Sequence, residues 1–80
     1  MLATDNIKAL AKRNNVSVAF VRETATETAG LKVGYSSSRK TWFIDADATT
    51  VRVFNAQLAQ LIEDERADGE LLPVYTSHKN

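Results

Sequence analysis

Eighty residues and 8.8 kDa predict a single small domain spanning 1–80, in which roughly 60 per cent of the open chain's surface can be buried. A hydrophobic fraction of 44%, a charged fraction of 25%, three Gly and one Pro exclude a disordered or fibrous chain. The lack of Cys excludes a disulfide scaffold, a zinc ribbon and a thiol nucleophile. The net charge of zero hides two unlike halves: residues 1–42 hold seven bases and three acids, residues 43–80 three bases and seven acids.

In chain order, the first element predicted is a helix. Thr4 or Asp5 caps it, and Ile7, Leu10 and Ala11 share one face. Lys12 and Arg13 suit its C-terminal end, and Asn14-Asn15 stops it, because Asn tolerates the left-handed conformation at a helix end. Val16, Val18 and Phe20 alternate with Ser17 and Ala19, which predicts a half-buried strand over 16–22. The polar stretch from Glu23 to Ala29 reads as a loop ending at Gly30. Leu31, Val33 and Tyr35 form a second alternating run, Ser36 to Ser38 a turn, and Thr41 to Ile44 a third run.

After Ile44 two assignments compete. Asp47 or Thr49 could cap a helix, or Thr50 to Phe54 could form a fourth strand. The strand is preferred, since Thr-Thr-Val-x-Val makes a poor first helical turn. Asn55 would then cap a helix whose inward residues are Leu58, Leu61 and Ile62. Gly69 ends that helix, and Leu71 to Tyr75 forms a short strand that Pro73 confines to a sheet edge. Ser77 to Asn80 reads as a tail. The expected fold class is α+β: an N-terminal helix, an antiparallel meander of three or four strands, one helix packed on the sheet, and a short C-terminal edge strand.

The chemistry-bearing residues are sparse. His78 has no Cys and no assignable buried carboxylate to orient it, and Ser36, Ser37 and Ser38 lack the context that activates a nucleophile. Asp45-x-Asp47-x-Thr49 has the opening spacing of a calcium loop, but Thr50 and Ala56 stand where that loop requires Gly and Glu. Three scattered glycines make no phosphate loop. The expectation is therefore no catalysis, no metal and no cofactor.

The stretch from Leu10 to Glu23, LAKRNNVSVAFVRE, resembles the helix-turn-helix of excisionase-type and MerR-type regulators. Arg39-Lys-Thr-Trp-Phe-Ile-Asp45 is similar to the wing that follows in those proteins, so the resemblance spans roughly residues 7–62. It implies a winged helix with Ser17, Val18 and Arg22 facing the major groove and Arg39 and Lys40 touching phosphate. Asn15 replaces the Gly usual in that turn, and Asn14 and Thr24 are polar where the pattern is apolar. The alternating run over 16–22 requires none of these departures.

The function expected from the residues is a non-catalytic binding module acting by macromolecular contact, of the kind found among phage and mobile-element accessory proteins that inhibit or adapt host machinery. The partner is expected to be a protein, met by Lys32, Tyr35, Arg39 and Lys40 around one hairpin, where bases and aromatics mix. A second candidate face is Glu63, Asp64, Glu65 and Asp68. The alternative is a small winged helix-turn-helix DNA-binding regulator, for which the acidic half predicts weak, salt-sensitive binding. No apolar run approaches the roughly 18 residues of a membrane span, and neither membrane contact nor a signal peptide is expected, which predicts a cytoplasmic protein.

Overall fold

The computed structural model describes residues 6–76. Its elements are helix α1 (Asn6–Asn14), helix α2 (Val18–Glu23) running on into a π-helical turn (Thr24–Thr28), strands β1 (Val33–Ser36) and β2 (Thr41–Ile44), and helix α3 (Ala48–Ala67). The α+β class holds, with a two-stranded antiparallel sheet between helices.

The first helix follows its sequence pattern. Ile7, Leu10 and Ala11 are buried on one face. The chain then leaves α1 through Asn15 at φ 55, with the Val16 amide donating back to the Ala11 carbonyl at 3.0 Å. This is the left-handed exit common at helix ends, with Asn in place of Gly.

Residues 16–22 are not a strand. The Ser17 hydroxyl accepts from the Phe20 amide at 3.0 Å and caps α2, and Val18, Val21 and Ala25 are buried at helical spacing. An alternating run of seven residues satisfies both periods, and here the cap and the buried face outweigh β-propensity. Nor is Glu23 to Ala29 a loop. Thr24 and Ala25 are buried, and the Ala29 amide reaches the Thr24 carbonyl five residues back at 3.1 Å. Thr24 Oγ1 and Thr26 Oγ1 donate to the carbonyls of Phe20 and Arg22, at 2.8 and 2.9 Å, the kind of back-bonding that loosens helical geometry.

The second and third runs pair as expected. The register is Val33↔Ile44, Gly34↔Phe43, Tyr35↔Trp42 and Ser36↔Thr41. The Phe43 ring lies across Gly34, where a Cβ would stand 2.7 Å from the ring's tip, so a larger residue there requires that ring to shift. Asn6 fastens this hairpin to α1: its Oδ1 accepts from the Ile44 amide at 2.7 Å and its Nδ2 donates to the Ile44 carbonyl at 3.1 Å. One buried side-chain amide thus pairs with Ile44 as a neighbouring strand would.

The fourth strand is absent. Asp47 Oδ1 accepts from the Thr50 amide at 2.7 Å, so α3 starts at Ala48, and Phe54, Leu58 and Ile62 recur every four residues as its buried face. The β-branched first turn costs a few tenths of a kcal/mol per residue, less than the cap and this burial return. Asn55 lies mid-helix and accepts from Asn14 Nδ2 at 3.3 Å, and Leu61 is half-buried. Gly69, at φ 86, ends the helix as expected. Leu71 to Tyr75 forms no strand: the segment passes the turn between α1 and α2, where the Ser17 amide donates to the Pro73 carbonyl at 2.9 Å. The caps proposed at Thr4 or Asp5 and the tail from Ser77, with His78, lie outside the described residues.

Candidate nucleic-acid interface

The order helix, left-handed turn, helix, two-stranded hairpin, long helix places α2 beside the hairpin. Val33, Tyr35, Trp42 and Ile44 share one face of the sheet, by the alternation of strand side chains. Ile44 is buried in the core, while Trp42, further out, meets α2: the Arg22 guanidinium lies 4.4 Å from the Trp42 ring centroid, within cation–π range. Tyr35 adds an edge-on contact to the same ring, centroids 5.0 Å apart. An open groove of about 290 Å³ runs between helix and hairpin, lined by Arg22, Glu23, Thr26, Glu27, Val33 and Trp42.

The hairpin tip is the four-residue turn Ser37–Lys40. Ser36 Oγ accepts from the Arg39 amide and lies within hydrogen-bonding distance of Ser38 Oγ, both at 3.3 Å. Lys40 takes the left-handed conformation at φ 54 to bring the chain back into β2. Arg39 and Lys40 are both exposed at this tip. Lys32 is exposed at the other end of the hairpin, its Nζ 3.9 Å from Asp45 Oδ2. At about 3.4 Å per residue the two ends stand on the order of 15 Å apart, so the hairpin carries two separate basic points.

No family model, curated protein or solved structure matches this chain.

The acidic residues of the second candidate face lie along the last turns of α3. Glu63 and Asp64 are exposed, Glu65 is half-buried, and Asp68 is the C-cap residue. Gln60 Nε2 donates to Asp64 Oδ1 at 3.0 Å. No group of three or more His, Cys, Asp or Glu among the described residues is arranged to hold a metal, and no helix among them is long and apolar enough to cross a membrane.

The three residues named through the family resemblance for the major groove have different fates. Ser17 Oγ is occupied as the helix cap, Val18 is buried, and Arg22 is half-exposed on Trp42. The outward stripe of α2 and the π-helical turn is instead Ala19, Glu23, Thr26 and Glu27. These residues follow from helical periodicity once residues 18–28 are helical, and they are invisible while 16–22 is taken for a strand.

Proposed function

We propose that the protein binds duplex DNA, with α2 entering the major groove and the β1–β2 hairpin serving as a wing. The observation that carries this reading is the packing of Arg22 on Trp42, which joins helix and hairpin beside one groove. The geometry suits a duplex: a helix fits the major groove, and a basic turn beside it meets the flanking phosphates. Arg39 and Lys40 supply that turn. The acids of α3 and the zero net charge oppose non-specific association, so binding is weak on random sequence and weakens further with salt.

Fluorescence anisotropy of a labelled duplex, titrated at several salt concentrations, tests the reading. The Arg39→Glu/Lys40→Glu variant should keep its melting temperature, because both side chains are exposed, and should bind less tightly with a salt slope shallower by about two. Equal affinity and slope in the variant and the parent protein would remove the wing from the interface.

Contact with a protein partner is a second reading, supported by Leu71 and Val74, which are 96% and 58% exposed on the segment after α3. Capture of one protein partner from nuclease-treated lysate, with no duplex binding in the titration, would favour it.

A further inference from the structure

We infer that Glu23 is a specificity-determining residue that selects cytosine in the DNA target, an inference resting on the duplex-binding reading above. Four observations narrow the choice to this side chain. The Ser17 hydroxyl is committed to the Phe20 amide. Ala19, the first outward residue of α2, is too short to hydrogen-bond a base and allows the helix to approach closely. Arg22 is held on the Trp42 ring. Glu23, one turn beyond Ala19, is exposed and lines the groove beside the wing, and its carboxylate has no hydrogen bond or ion pair among the described residues.

A carboxylate only accepts hydrogen bonds when ionised, so among the base edges of the major groove it can pair with the N4 amino group of cytosine or the N6 amino group of adenine. Adenine sets the N7 acceptor beside N6, which repels the second carboxylate oxygen, whereas cytosine offers N4 with no acceptor on its own exposed edge. Against phosphate the same charge is unfavourable. Glu23 therefore lowers affinity for DNA in general while rewarding one base pair, which is how a site gains discrimination rather than strength. Glu27 lies on the same stripe one turn further along, in the π-helical turn. Recognition helices contact base edges from their N-terminal end, and Glu23, although it closes α2, lies one turn nearer that end than Glu27.

The test is selection of bound duplexes from a randomised DNA library with the parent protein, Glu23→Gln, Glu23→Ala and Glu27→Gln, each verified as folded by its thermal melt. The parent should enrich a motif containing one C·G pair that is preferred about tenfold over the other pairs. In Glu23→Gln that position should change to A·T, because an amide pairs with adenine N6 and N7. In Glu23→Ala the preference there should vanish while affinity for unselected duplex rises several-fold. Glu27→Gln should leave the selected base unchanged. The inference is overturned if both Glu23 variants enrich the parent motif, if Glu27→Gln is the variant that changes the base, or if the parent binds duplex without any motif; in each of these cases duplex binding itself stands. No duplex binding by the parent in the anisotropy titration overturns both.

Discussion

Asn6 joins two distant parts of the chain through one buried side chain. Its carboxamide makes two hydrogen bonds to the Ile44 backbone, across 38 residues of chain, and is 8% exposed. The donor Nδ2 faces a carbonyl and the acceptor Oδ1 faces an amide, so the pair has a fixed polarity. Asn6→Asp preserves the shape and reverses half of that polarity, setting a carboxylate oxygen against the Ile44 carbonyl. Each buried group left unsatisfied costs about 1–3 kcal/mol. Burial and the facing carbonyl would raise the new carboxyl's pKa above its unfolded value. The stability of the variant should then be greatest below that unfolded value, about 4, and be lost as pH rises through the folded one. Urea unfolding of Asn6→Asp from pH 3 to 7 should show this rise towards acid, whereas a flat difference from the parent would mean that the amide is not paired with Ile44. Nothing in the sequence distinguished Asn6, because an Asn at the start of a helix is ordinarily a cap.

At the scale of elements, α3 is organised by its buried ladder Phe54, Leu58 and Ile62 and by the cap at Asp47. Leu58 is fully buried and Leu61 only partly, so Leu58→Ala should cost about 2–5 kcal/mol in urea unfolding and Leu61→Ala distinctly less. Equal losses would mean that the inward face is rotated. The hydrogen bond from the Thr50 backbone amide, with a smaller contribution from the Thr50 side chain, holds the Asp47 carboxyl below its ordinary pKa. That depressed value means its stabilisation is complete above the ordinary carboxyl range and is lost as pH falls through the folded value. Melting temperatures of the parent and Asp47→Ala should therefore differ at neutral pH and begin to converge only as the pH falls below about 4. The elements legible from sequence were those with one dominant signal. The first helix has its three-residue face and Asn stop, and the hairpin has alternation on either side of a Ser-rich turn. The helices beginning at Val18 and Ala48 were obscured by β-branched residues in their first turns, where propensity points one way and the caps at Ser17 and Asp47 the other. For so short a helix as α2, burial against α1 and the hairpin decides, and a single sequence carries that only faintly.

Across the whole molecule, the charge split follows the architecture. All seven bases of residues 1–42 lie on α1, α2, the hairpin or the segment joining them, and most acids of the second half lie on α3 or just beyond it. Arg39 and Lys40 were recognisable as an exposed basic pair because they follow a turn of three serines. Their separation from Lys32 was not, since it depends on which end of a hairpin each occupies. The outward glutamates of α2 were likewise hidden by the strand assignment.

The bond from the Ser17 amide to the Pro73 carbonyl ties the turn between α1 and α2 to the segment that follows α3. An amide at a tight surface turn ordinarily exchanges its proton with water quickly, but this one is covered by chain from the far end of the sequence. Its exchange rate therefore gauges whether the two ends of the fold are joined. In deuterium oxide the Ser17 amide should exchange more slowly than that of Ser37 at the exposed hairpin tip, and shortening the chain after Gly69 should bring the two rates together. A Ser17 rate unchanged by that truncation would mean that the clasp is open in solution. A closed clasp instead holds the first turn of α2 to the body of the protein, so the angle of that helix is fixed by the fold itself.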